Sequence, residues 1–402
     1  MGQPASWVRL PTFVFLAFLA AASLTLGEPP AGHDARADRI NSVFSSLVDG
    51  NSPGMAVLVS NHGRTLFERG YGVRDLRTLA KIDAQTDFRL ASCTKQFTAM
   101  AVMLLIHDGR LQYDRKLTDL FPEFPAYGRA ITVRHLLTHT SGLPDYEDLM
   151  DAAEKAGQST WSATHQIQDR EVLELLQRQT SGKFAPGSSW SYSNSAYVLL
   201  GLIIAKVSGQ PFGRFLQEGI FEPLRMRSTL VYVNAENEVP DRAYGHTKTL
   251  GFREDDQSAT SATLGDGGVY SNVADMAKWD AALTKHTLLS QREMSAALIP
   301  VKLANGDQPK WPLDPDDDNL APGKPVFYGF GWFLDPWEGH ARMWHFGSTV
   351  GFHSVIERFT ADQLTIVILC NRTDLEPERL ALQVAAIVLG GKQAIVHSNY
   401  LR

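Results

Sequence analysis

The stretch Ser92-Cys93-Thr94-Lys95-Gln96-Phe97-Thr98-Ala99-Met100-Ala101-Val102-Met103-Leu104-Leu105-Ile106-His107-Asp108-Gly109 decides the reading of this chain. Phe97, Ala101, Leu104 and Leu105, joined by Met100 and Met103, recur at helical spacing, and Gly109 stands where a C-cap belongs. The spacing predicts a buried helix from Ser92 to Asp108. If Ser92 opens that helix, Lys95 lies one turn on along the same face, so its amine can approach the Ser92 hydroxyl. Lysine at its ordinary pKa of about 10.4 is a poor base at neutral pH, but an apolar setting pushes that value down. The helix N-terminus favours negative charge developing at Ser92. A nucleophile and a base are therefore candidates within four residues.

Outward from this helix, Met55-Ala56-Val57-Leu58-Val59 and Thr65-Leu66-Phe67 flank Ser60-Asn61-His62-Gly63-Arg64, whose Asn and Gly suit a turn, so this reads as a β-hairpin. Residues 130–264 are rich in helix-like pieces: Val133 to Thr138, Glu171 to Gln179 and Ala196 to Val207. Asn272 with Asp275 caps a further helix through Leu283. Strands return at Phe330 to Leu334, Ser354 to Phe359 and the apolar run Leu364 to Cys370, followed by a helix from Glu376 to Leu389. Strands at both ends around a helical middle predict an α/β (α+β) fold. One sheet domain, residues 36–129 and 265–392, is completed by both chain ends, and an all-helical domain, 130–264, is inserted between them. A cleft is expected at their junction.

Composition narrows the function. Lys and Arg number 38 against 44 Asp and Glu, a net charge of -6, so no global positive field holds nucleic acid. Two cysteines cannot build a disulfide framework, and Cys93 and Cys370 read as buried thiols. Arg9 followed by the apolar run Phe13 to Leu26 has the length of an export signal, placed at residues 1–27, with no membrane span expected once it is removed. The compartment implied is periplasmic or extracellular. The stretch 305–326 holds five prolines and five aspartates and reads as an exposed loop. Asp314, Asp316 and Asp318 match the first EF-hand positions, but Asn319 replaces the required Gly and Pro325 the final Glu, so no calcium site is predicted. His135 and His139 have the spacing of a zinc pair without the intervening Glu and read as core or capping residues. No metal and no organic cofactor is called for.

Two further patterns carry chemistry. Ser191-Tyr192-Ser193-Asn194 precedes an apolar helix, and in an extended segment Tyr192 and Asn194 point to one side, so a phenol and an amide line one wall; Ser193 or Asn194 also suits a helix cap. In Trp344-His345-Phe346-Gly347-Ser348, His345 and Gly347 alternate with Phe346 on an expected edge strand, and the glycine permits close backbone approach. G-x-S-x-G is absent, which argues against an α/β-hydrolase.

The order of the three patterns resembles the penicillin-recognising serine enzymes, above all their class C branch: class C β-lactamases, D-alanyl-D-alanine carboxypeptidases, D-aminopeptidases and family VIII esterases. Further stretches stand in the same order, Ile131 to Leu143 (ITVRHLLTHTSGL), Phe184-Ala185-Pro186-Gly187, Phe221-Glu222-Pro223-Leu224 and Gly265-Asp266-Gly267-Gly268-Val269, and the resemblance spans residues 36–392. It implies an antiparallel sheet flanked by helices. It implies a serine hydrolase in which Ser92 is acylated, Lys95 and Tyr192 share the proton work, and Asn194 orients the substrate or Lys95. It further implies an oxyanion hole formed by the backbone N–H groups of Ser92 and Ser348, and a small-molecule or peptide substrate as the partner. Either Lys95 or Tyr192 can take the first proton.

One departure bears on substrate. His345 stands where β-lactamases and many carboxypeptidases have Lys. A histidine with pKa about 6.5 is about a quarter charged at pH 7, so it is expected to anchor a substrate carboxylate better below that pH. Histidine here resembles the aminopeptidase-like and esterase-like members, and that resemblance favours ester or D-amino-acid amide substrates over β-lactams, with a β-lactamase, a D,D-carboxypeptidase and a slowly acylated penicillin sensor or non-catalytic scaffold as the rival readings. Residues between Tyr146 and Asp169 are expected to form the lip of the cleft.

Overall fold

The computed structural model describes residues 1–2, 35–313 and 322–390. The signal read at residues 1–27 lies, from residue 3 on, outside the described residues, as do Asp314, Asp316 and Asp318. The strands are β1 Met55–Asn61, β2 Arg64–Tyr71, β3 Phe88–Arg89, β4 Leu230–Val231, β5 His246–Lys248, β6 Phe252–Glu254, β7 Val269–Ser271, β8 Arg342–Thr349, β9 Phe352–Phe359 and β10 Leu364–Cys370. The longer helices are α1 Ala35–Phe44, α2 Lys95–His107, α3 Tyr146–Lys155, α4 Asp169–Gln177, α5 Asn194–Ser208, α6 Val273–Lys285 and α7 Pro377–Leu389.

Five strands form an antiparallel sheet in the order β2-β1-β10-β9-β8. β1 pairs with β10 from Met55↔Cys370 to Asn61↔Leu364, so the two ends of the chain complete one sheet. Both strands are buried almost throughout and carry the apolar runs Met55 to Val59 and Ile366 to Cys370, because both faces are covered. Met55, Val57 and Val59, with Ile366 and Ile368, pack with α1 and α7, while Ala56, Leu58, Val367 and Leu369 face the core that holds α2. The period-two alternation of a strand thus feeds two separate cores. The β1–β2 turn is built on His62 and Gly63, both at positive φ (51° and 72°), which a tight two-residue hairpin requires.

The helix predicted from Ser92 begins as a 3₁₀ turn, Ala91–Thr94, and continues as α2. Lys95 to Met103 are buried without interruption, so α2 is covered on all sides and runs through the protein interior, apolar apart from Lys95, Gln96 and Thr98 over that stretch. α5 is its counterpart, buried over most of its length and packed on α2. Asn272 accepts the Asp275 N–H at 2.8 Å and caps α6. The stretch 130–264 carries helices as far as Phe221 and then the short strands β4, β5 and β6. β4 joins β3 and β7 in a small sheet of order β3-β7-β4.

Two expectations change. Phe330 to Leu334 is not a strand: Gly331 takes φ +75° and presses against the Lys95 carbonyl, and only Phe333 makes bridges, to Tyr328 and Trp344. The left-handed glycine breaks the extended run that its apolar neighbours imply. Within 305–326, Trp311 and Val326 are buried with Trp190, Tyr328 and Phe333, so that segment is not simply an exposed loop. Among the described residues no single helix is long and apolar enough to cross a membrane.

Candidate active site

Ser92 sits half-buried in the 3₁₀ turn, directly after Ala91, a non-glycine residue at φ +46°. The turn is pinned from behind by β8: a Cβ added to Gly347 would lie 2.1 Å from the Leu90 carbonyl oxygen and 3.1 Å from the Cys93 nitrogen. Only glycine lets strand and turn approach this closely. Gly347→Ala therefore pushes apart the two segments that carry the Ser92 and Ser348 N–H groups. Turnover is expected to fall about 10²-fold or more, with about 1–3 kcal/mol lost from stability. Steady-state kinetics beside a thermal melt check this, and parental kcat in the variant removes the argument.

Lys95 is fully buried, and its ammonium is held by three acceptors: Ser92 Oγ at 3.0 Å, Asn194 Oδ1 at 2.8 Å and the Asp266 carbonyl at 3.1 Å. Burial lowers its pKa from 10.5 to about 8, against the opposing pull of Asp266, Glu147 and Asp145. The Asp266 carbonyl reaches the amine because Gly265 lies against α5, where a Cβ would meet the Tyr197 carbonyl at 2.3 Å. At neutral pH a useful fraction of Lys95 is the free amine, hydrogen-bonded to a hydroxyl it can deprotonate.

Tyr192 and Asn194 enter from the other wall. Ser193 is extended and caps α5 by accepting the Ala196 N–H at 3.2 Å, so Tyr192 precedes the helix and Asn194 is its first residue. Ser193 is thus the cap, and although Asn194 is helical rather than extended, both it and Tyr192 face Lys95. The Tyr192 ring centroid lies 4.9 Å from Lys95 Nζ. Its phenolic oxygen is buried with no hydrogen-bond partner among the described residues. Burial drives the phenol well above its usual pKa of 10.0, and the adjacent Ser92 hydroxyl, short of a formed hydrogen bond, lowers it only in part.

His345 lies on β8, the edge strand of the sheet, and is fully buried. Its Nδ1 is 2.6 Å from the Phe346 carbonyl and its Nε2 3.1 Å from the Tyr328 hydroxyl. The ring therefore donates through Nδ1 and accepts through Nε2. Burial and the nearby Lys95 charge depress its pKa to about 3. The expected titration near pH 6.5 does not hold: His345 is neutral across the physiological range, with both nitrogens engaged by the protein. Beyond the buried Gly347, Ser348 is exposed.

A model of the family described as Beta-lactamase matches residues 40–389. The chain belongs to this family. Penicillin-binding protein 4* of Bacillus subtilis (strain 168) is 30% identical over 369 residues, which cover 88% of this chain and 76% of that protein. Esterase EstB of Burkholderia gladioli is 36% identical over 210 residues, 50% of this chain and 53% of the esterase. The D-amino acid amidase of Ochrobactrum anthropi SV3, solved with D-phenylalanine, superposes at a TM-score of 0.72 and 22% identity over 89% of this chain and 99% of the amidase, a likeness of fold. Family membership and the buried Ser–Lys pair make this chain a serine hydrolase.

In this beta-lactamase-family site Ser92, Lys95, Tyr192 and Asn194 converge, while His345 and Gly347 support β8 from the buried side. Three neighbours were given no part in the site by the sequence. Asp145 caps α3 through the Glu147 N–H and also accepts the Asn194 N–H at 2.7 Å, so one carboxylate ties two helix starts together; burial raises its pKa to about 6. Asp266 accepts the Tyr146 hydroxyl at 3.2 Å, besides meeting Lys95 through its carbonyl. His139 lies beneath Tyr192. Asp145 ahead of an acidic first turn is a readable cap, but its second helix is 49 residues away. His135 caps its own helix start, accepting the Thr132 N–H at 3.2 Å. Among the described residues no group of three or more His, Cys, Asp or Glu is arranged to hold a metal, and both cysteines are buried and free.

Proposed function

We propose that this protein is an exported hydrolase that cleaves ester or D-amino-acid amide bonds in substrates carrying no essential carboxylate, through an acyl-enzyme on Ser92. The observation that carries the reading is the fully buried Lys95 amine 3.0 Å from Ser92 Oγ. Ser92 Oγ attacks the carbonyl carbon and its proton passes to Lys95 or Tyr192; the same pair returns a proton to the leaving group, and water then releases the acid. A positioned base contributes about 10²- to 10⁴-fold. Asn194 orients Lys95 through its 2.8 Å bond. The backbone N–H groups of Ser92 and Ser348 receive the oxyanion, each worth about 3 kcal/mol. No metal or organic cofactor takes part, and the partner is a small-molecule or peptide substrate.

The substrate class rests on His345. A neutral, buried imidazole with both nitrogens engaged supplies no cation for a carboxylate, where a lysine would. Similarity to an esterase over half the chain agrees with that reading. Export rests on Arg9 and the apolar run Phe13 to Leu26. The test is a panel of a p-nitrophenyl ester, a D-amino-acid p-nitroanilide and nitrocefin, run from pH 5 to pH 8. The ester or the anilide is expected to exceed nitrocefin in kcat/KM by at least about 10²-fold. Because His345 does not titrate in this window, the ratio of anionic to neutral substrates stays flat. Nitrocefin as the best substrate, or a lasting penicillin adduct without turnover, overturns the reading in favour of a β-lactamase or a penicillin sensor.

A further inference from the structure

His139 grips both chain neighbours of Tyr192. Its carbonyl accepts the Ser191 N–H at 3.1 Å and its Nδ1 accepts the Ser193 N–H at 3.1 Å. Between these bonds the imidazole lies against the Tyr192 ring, with centroids 4.4 Å apart and planes at 31°. Tyr328 at 4.7 Å and Tyr197 at 5.1 Å pack against the imidazole as well, and Trp190 meets it edge-on at 5.8 Å. The residue is wholly buried and takes φ +58°, a left-handed backbone that non-glycine residues rarely adopt. Because Nδ1 accepts, the ring proton is on Nε2, and Nε2 is buried without a partner among the described residues. Buried and close to the Lys95 charge, the ring is held neutral.

A core histidine needs none of this. Simple packing calls for neither a strained backbone nor two bonds placed on either side of one tyrosine, and it does not leave a buried N–H unsatisfied. We propose that His139 is a positioning residue for Tyr192: it fixes the backbone on both sides of the tyrosine and the plane of its ring, and so sets where the phenolic oxygen stands relative to Ser92. His139 touches neither substrate nor the reacting atoms; it acts through the phenol. The assignment rests on the proton-transfer role proposed for Tyr192.

The test is a double-mutant cycle on the full chain with a p-nitrophenyl ester. His139→Phe keeps a ring but removes the Nδ1 acceptor. His139→Asn keeps an acceptor near the position of Nδ1 and tolerates left-handed backbone, while losing the stack. In the parent background His139→Phe is expected to lower kcat about 30-fold and His139→Asn about 5-fold, with KM unchanged within about twofold. In a Tyr192→Phe background both losses shrink below about twofold, because the group they act through is gone. Equal fold losses in the two backgrounds, or no loss in either, overturn the assignment, and His139→Asn decides alone if His139→Phe does not fold. Tyr192→Phe with parental kcat overturns the reading of the site and the assignment with it, whereas a normal loss for Tyr192→Phe with additive His139 effects overturns the assignment alone.

Discussion

Ser92→Ala is expected to fold as the parent does and to lose at least about 10⁴-fold in kcat on any ester or amide it hydrolyses. The side chain is half-buried, and its one hydrogen bond among the described residues is to Lys95, which keeps Asn194 and Asp266 as acceptors. Stability therefore changes by no more than about 1 kcal/mol. Removing the hydroxyl removes the covalent path itself, and the N–H donors proposed to receive the oxyanion have nothing to stabilise beyond attack by water. Intact mass after exposure to a fluorophosphonate gives the second readout. The parent gains one adduct and the variant gains none. An adduct on the variant places the nucleophile elsewhere and ends the acyl-enzyme account.

Lys95→Met separates activity from stability. Lowering the lysine from 10.5 to about 8 disfavours its charged form, and since the group is fully buried the shift corresponds to a destabilisation of about 3 kcal/mol at pH 7. The sign follows from proton counting. Between pH 8 and 10.5 the unfolded chain binds the proton that the folded chain has released, so this contribution is unfavourable below pH 8 and relieved as pH rises through that window. Methionine, similar in shape, removes the penalty but leaves Asn194 Oδ1 and the Asp266 carbonyl short of a donor, each a cost of about 1–3 kcal/mol. The two effects roughly cancel, and the melting temperature at pH 7 is expected to move by only a few degrees. Activity does not cancel: kcat falls about 10³-fold or more. In the parent, kcat/KM rises about tenfold per pH unit below 8 and levels above it, as the free amine becomes the main form. A flat parental profile between pH 6 and 9, or a Lys95→Met variant within tenfold of the parent, excludes Lys95 from the proton work.

Much of this molecule is written locally. The two apolar central strands, the caps at Ser193 and Asn272, the hairpin turn and the pairing of Ser92 with Lys95 all follow from side-chain period and short-range hydrogen bonding, which act over one or two turns of chain. The misreadings share one cause. Phe330 to Leu334 has the composition of a strand, but Gly331 folds it onto the Lys95 carbonyl, a contact between segments far apart in the chain. His345 looked like a titrating group because its ordinary pKa lies near neutrality, while its actual value is set by burial against Tyr328 and by the charge of Lys95.

Residue types and their periods determined most of the elements and pointed to one sheet completed by both ends of the chain, and the order of the motifs, through resemblance to a known family, grouped Ser92, Lys95, Tyr192 and Asn194. Tertiary structure alone decided the state of that chemistry: a lysine partly free of its proton, a histidine held neutral, a tyrosine clamped by His139, and a carboxylate at Asp145 serving two helices. The physical reason is that propensity and capping depend on neighbours within a few residues, whereas desolvation and charge depend on whatever the fold packs against a group, at any distance in sequence.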